Sequence, residues 1–179
     1  MNPAQLAAIK ADILADPVLN ALPNDSDGAF EIARIYNLID ANFYVYKTAL
    51  PTQAIFDEIL WANLTPSDVP DGTQLWMNRA LACQGKQFNI QTMLTGRASL
   101  DVSKNNVRAG LQDALTQVPS GTDGALRSAG WVGVRDSMYR LATRIEKLFA
   151  TGTGTTASPA TMGFEGSISY PEVLAARNS

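Results

Sequence analysis

The chain has 179 residues, 46% of them hydrophobic and 17% charged, with a net charge of −3, no histidine and one cysteine. That length suits one hydrophobic core of ordinary size, and the slight acidic excess argues against a protein that grips nucleic acid by charge. Without histidine, Ser-His-Asp and Cys-His nucleophiles and zincin-type metal sites are excluded. The lone cysteine likewise excludes an internal disulfide and a multi-cysteine zinc site.

The N-terminus shows no basic stretch leading into an apolar core, and no run approaches the ~18 apolar residues of a membrane span. A soluble, reducing compartment is therefore expected, with Cys83 a buried small hydrophobe. Asn2-Pro3 opens a helix whose face is Leu6, Ile9 and Ile13, and Asp16-Pro17 ends it. The turn from Pro23 to Gly28 precedes a second helix carrying Phe30, Ala33 and Ile35, with Asp25 and Asp27 favouring its N-terminus. Read as a calcium loop, the same turn puts Pro23 where an acid belongs and Arg34 where a bidentate glutamate is needed, so capping is its role.

Phe43-Tyr44-Val45-Tyr46 is aromatic and β-branched, suited to an extended run but too short to define a sheet. Pro51-Thr52 opens a third helix with Ile55, Phe56, Ile59, Leu60 and Trp61 as its stripe. A loop from Thr65 to Gly72 follows, then a helix from about Thr73 through Cys83, kinked or ended at Gly85. Ile90, Met93 and Leu94 belong to a further turn that Gly96 closes. From Ser103, Val107, Leu111, Ala114, Leu115 and Val118 keep helical spacing until Pro119-Ser120-Gly121.

After Asp123 the spacing predicts a long helix with Trp131, Val134, Met138, Leu141, Ile145 and Leu148 on one face. Arg135, Arg140, Arg144 and Lys147, offset from that stripe, are the densest basic group: a solvated helix face, or a contact face for an acidic partner or passing DNA. Residues 151–160 are small, polar and glycine-containing, the composition of a flexible linker. Gly152-Thr153-Gly154 is no phosphate loop, because no Gly-Lys-Ser/Thr follows.

Met162, Phe164, Ile168 and Tyr170 then alternate with polar residues, as in a half-buried strand or hairpin, before one or two helical turns from Pro171. The tail could fold back on its own helices, or reach a neighbouring subunit and bind it through Met162, Phe164, Ile168 and Tyr170. The expected architecture is all-α, mostly a helical bundle over 1–150, with a linker and extended docking arm over 151–179 that has room for a short strand or hairpin. No catalytic, cofactor-binding or metal-ligating set is read from the residues, and no enzyme is expected.

Two stretches carry a resemblance. One runs from Arg140-Leu141-Ala142-Thr143-Arg144-Ile145-Glu146-Lys147-Leu148-Phe149 through Ala150-Thr151-Gly152-Thr153-Gly154, continuing in Ser158-Pro159-Ala160-Thr161 and Phe164-Glu165-Gly166. The other is Asp16-Pro17 followed by Gly28-Ala29-Phe30-Glu31-Ile32-Ala33. Both resemble small proteins encoded among the structural genes of tailed bacteriophages and prophages. The size, helical plan and C-terminal arm are similar to head–tail connector (adaptor) subunits of the virion neck.

The resemblance implies a homo-oligomeric ring, a dodecamer, beneath the portal, with the helices forming its body. It implies an arm from Thr151 onward docked on the portal, a tail or neck protein, or an adjacent subunit. Viral DNA would pass through the channel without specific binding, and the subunit would be made in the host cytoplasm. The alternative is a small-ligand or host-protein-binding regulatory module with a pocket lined by Trp61, Trp76 and Trp131.

Overall fold

The computed structural model describes residues 1–121 and 124–179, so the expected helix start at Asp123 lies outside the described residues. In chain order the elements are α1 (Pro3–Ala15), α2 (Pro17–Asn20), α3 (Ser26–Tyr36), β1 (Ile39–Tyr46), β2 (Leu50–Pro51) and α4 (Thr52–Glu58). A 3-10 turn (Trp61–Leu64) leads to α5 (Gln74–Leu94), β3 (Ser99–Leu100), α6 (Asn105–Leu115), β4 (Val118–Pro119) and β5 (Leu126–Arg127). The chain ends with α7 (Trp131–Ser137), β6 (Tyr139–Thr143), α8 (Arg144–Phe149) and α9 (Tyr170–Asn178). Two units result: Met1–Val45 with Leu141–Ser179, and Tyr46–Arg140.

The first unit begins with well-marked helix starts. The Asn2 side chain accepts from the Gln5 amide at 2.9 Å, and Gln5 Oε1 accepts from the Asn2 amide at 3.0 Å. This reciprocal box satisfies two amides that the first turn of α1 would leave unpaired. Asp16 closes α1 and caps α2 by accepting from Val18 and Leu19, and Asp25 caps α3 through the Gly28 amide at 3.0 Å. Only glycine fits at position 28, since a Cβ there would stand 2.0 Å from the Pro23 carbonyl oxygen. Ile9, Ile13, Leu19, Ile32 and Tyr36 form the core with Ile145, Ile168, Val173 and Ala176.

The all-α expectation is corrected by β1, which pairs with β6, and by two smaller two-stranded sheets. The described residues are about 53% helical and 14% strand, a mixed α/β chain rather than a helical bundle. The long helix expected through Leu148 is in fact α7, β6 and α8. Thr143 is extended (φ −75°, ψ 163°), and its hydroxyl accepts from the Glu146 amide while Glu146 Oε2 accepts from the Thr143 amide at 2.9 Å. A new helix therefore starts inside the stripe. The apolar spacing was met by two short helices separated by a strand that contains Tyr139 and Thr143, residues that suit a pleated ladder. Gly85 misled in the opposite direction: α5 runs straight through it.

Residues 151–161 are not built as a flexible linker. Thr151 and Thr161 exchange both backbone hydrogen bonds at 2.9 Å, and Thr155 and Ser158 exchange theirs at 3.2 and 3.1 Å. The Tyr44 amide donates to Gly154 O at 2.7 Å, and the Ala160 amide donates to Tyr44 O at 2.9 Å. Gly154 has φ +68°, and a Cβ there would lie 2.2 Å from the Phe43 ring. The alternating stretch that follows, from Met162, forms no strand; the isolated bridges at Val45–Ala160 and Thr151–Thr161 lie just before it. The tail folds into the first unit, so the expected break at 150 does not separate the two units.

The second unit is one continuous segment. Leu50, Ile55, Leu64, Ile90, Leu111, Leu115, Val134 and Met138 make its core. Short antiparallel pairs, Leu50 opposite Leu100 and Val118 opposite Arg127, pin the ends of its helices. Cys83 is buried in this core, 3.6 Å from Pro119 O, and burial pushes its thiol above the ordinary range. No helix of the described residues is long and apolar enough to cross a membrane.

Candidate functional site

The four arm residues meet different fates. Met162 packs half-buried against Val45, Ala142 and Ala160. Phe164 meets Phe149 edge-on, with ring centroids 5.8 Å apart. Ile168 is buried, and Asn37 clamps its backbone from both sides, donating to Ile168 O and accepting from its amide at 2.9 Å each. Tyr170 alone stays open, 46% exposed at the start of α9.

Tyr170 is not isolated. Phe30 (64% exposed) and Leu38 (51%) stand nearby on and just beyond α3, and with Ala33, Asn37 and Ile168 they line a cleft of about 530 Å³ between α3 and α9. Helical spacing puts Phe30 on the apolar face of its helix; in the structure Ala29, Ile32, Ala33 and Tyr36 take the core and Phe30 points to water. The signal was the spacing of Ile32 and Tyr36, which defines a different side of the helix. Exposed large apolar residues gathered in one cleft mark a contact surface.

The four basic residues divide between the two units. Arg135 lies in the second unit and pairs with Asp136 at 2.9 Å, and Arg140 lies on β6 in the same unit. Arg144 and Lys147 lie in the first unit, where each has a carboxylate partner. The offset from a helical stripe cannot group residues that stand on both sides of a strand. Arg144 donates to Asp16 at 2.8 Å and to Asp12 at 3.3 Å, while the Tyr36 hydroxyl donates to Asp12 at 2.7 Å.

These contacts set the ionisation of the cluster. The Arg144 hydrogen bond, then the Val18 and Leu19 amides, hold the Asp16 carboxyl below its ordinary value. Burial and the neighbouring Asp12 push the Tyr36 hydroxyl far above its usual range. Lys147 reaches Asp40 at 2.7 Å, and that bond with the Asn42 amide lowers the Asp40 carboxyl. Asp12, Asp40, Arg144, Lys147 and Leu148 border an open cavity of about 570 Å³ whose charges are matched in place. Among the described residues no group of three or more Cys, Asp or Glu side chains is placed to hold a metal ion.

Among the described residues, Trp76 and Trp131 line separate cavities. Trp61 stacks on Phe56 at 5.8 Å and is partly exposed. Trp76 lines a cavity of about 390 Å³ between the 65–70 loop and α5, with its indole donating to Asp68 O at 3.2 Å. Trp131 borders a different hollow with Tyr46, Arg108 and Arg135.

A second apolar surface was missed by reading the α5 sequence for core positions alone. Cys83, Ile90 and Leu94 face the core, whereas Met77, Leu81 and Phe88 share the opposite side and stand 43%, 63% and 68% exposed. Their spacing of four and seven residues is itself a helical stripe. Comparison with protein-family models, curated proteins and solved structures finds no match to this chain.

Proposed function

We propose that the chain is a structural subunit of a tailed-phage virion, a head–tail adaptor that joins its neighbours in a neck ring through the α3–α9 cleft. The observation that carries this reading is the cleft itself, with Phe30, Leu38 and Tyr170 held open to water. Apart from Arg140, the two stretches that resemble phage structural proteins belong to the first unit, one through α3 and the other through α8 and the 151–161 loop. They converge on the unit that carries the cleft although more than a hundred residues separate them.

Docking in this scheme does not need a detached arm. Ile168 and Asn37 fix the segment before α9, so Tyr170 is presented on a rigid edge, which lowers the ordering cost of binding. A cleft on one subunit that receives a different surface of the next gives a head-to-tail contact, the kind that closes into rings. The proposed ring surrounds DNA without gripping it, in keeping with the paired Arg144 and Lys147.

Mass spectrometry of purified particles from the encoding phage or prophage tests the reading. The chain is expected at ring stoichiometry, and labelled antibody is expected at the neck. Its complete absence from particles overturns the assignment and favours a regulatory binding module.

A further inference from the structure

The exposed side of α5 is unexplained by the packing of the second unit. None of its exposed residues is Asp, Glu, Lys or Arg. The two cations of the helix, Arg79 and Lys86, are turned away and paired with Asp68 and Asp113. Helix faces meant for water carry charge, whereas the cores of protein interfaces are depleted of it and enriched in aromatic residues and methionine.

Gly85 lies in the middle of this face. A Cβ there would meet nothing within 4 Å, and the backbone is ordinary helix, so the single chain has no need of glycine at that position. Glycine weakens a helix relative to alanine. Close approach of another backbone is a physical reason to keep it.

The residues around Gly85 are also arranged symmetrically. Leu81 stands three residues before Gln84, and Phe88 stands three residues after Gly85. Two antiparallel copies of α5 centred on Gln84–Gly85 would set Leu81 against Phe88 of the partner subunit, with the glycines at the crossing. We propose that α5 packs antiparallel against α5 of a second copy of this chain, about a two-fold axis through Gln84–Gly85. An uncharged face brings no like charges together when it meets itself, which a self-complementary contact requires.

The contact closes on itself and stands independently of the virion reading. Sedimentation velocity on the full chain over a range of concentrations tests it. A dimer is expected, and Gly85→Leu is expected to raise its dissociation constant by at least about tenfold. Circular dichroism reports whether that variant keeps its fold, and it is expected to, because the new side chain points into open space. As a second measurement, Gln84→Cys should cross-link with a short bis-maleimide. Leu75→Cys should not, since the two copies of that residue would lie roughly 28 Å apart along antiparallel helices rising 1.5 Å per residue. A chain that stays monomeric, association that Gly85→Leu leaves unchanged, or cross-linking at Leu75→Cys in place of Gln84→Cys overturns the proposal. Absence of the chain from particles leaves it standing.

Discussion

Asp16 links two elements and one ion pair through a single carboxylate. It caps α2, closes α1 and receives Arg144, so its charge favours the folded first unit. A carboxyl lowered in the folded state contributes stability above its ordinary value of 3.8, and that contribution is lost as pH falls through the lower folded value. In urea unfolding, the gap between wild type and Asp16→Asn is expected to hold from neutrality to about pH 4 and to shrink below it. A gap that is unchanged in strong acid would remove the ionised carboxylate from the explanation.

Gly154 makes the same point through sterics. Its positive φ and the Phe43 ring at the Cβ position leave no room for a side chain. Gly154→Ala is expected to destabilise the first unit by roughly 1–3 kcal/mol in urea melts and to speed hydrogen exchange at the Tyr44 and Ala160 amides. Composition alone marked this stretch as linker, because small polar residues look alike whether they are mobile or held by backbone hydrogen bonds.

At the scale of elements, local chemistry was legible and long-range pairing was not. Asn2, Asp25 and Thr73 each cap the helix that the sequence places after them, whereas Asp16, read only as the end of α1, also caps α2. The strand inside the expected long helix was hidden because β6 depends on β1, nearly a hundred residues earlier, whereas apolar spacing is a local property. Thr143→Ala removes the cap that restarts the helix after β6, and a loss of about 1 kcal/mol is expected by chemical denaturation. Gly85→Ala should do the reverse, raising the stability of dilute protein by up to about 1 kcal/mol, since its methyl group meets nothing in the single chain.

The whole molecule is organised by insertion: a continuous second unit lies between the two segments of the first. The C-terminal residues therefore belong to the core of the N-terminal ones. Burying an Ile or Val side chain contributes about 1.5–3 kcal/mol, so losing Ile168 and Val173 together removes stability comparable with that of a marginal domain. Truncation after residue 150 is expected to unfold the first unit while amide signals of 46–140 stay dispersed in two-dimensional NMR spectra. Of the four arm residues read from the sequence as docking positions, only Tyr170 is left with an open face, and Phe30 and Leu38 join it through tertiary placement that spacing could not reveal.

That cleft gives the proposed assembly role its sharpest test. Particles would be made in host cells where the native gene is replaced by a double variant, Phe30→Asp with Tyr170→Asp, and their neck would be imaged by electron microscopy. Both side chains are already exposed, so the variant is expected to fold and to be absent from the neck, leaving heads without joined tails. Normal tailed particles that carry the folded double variant would contradict docking through the cleft.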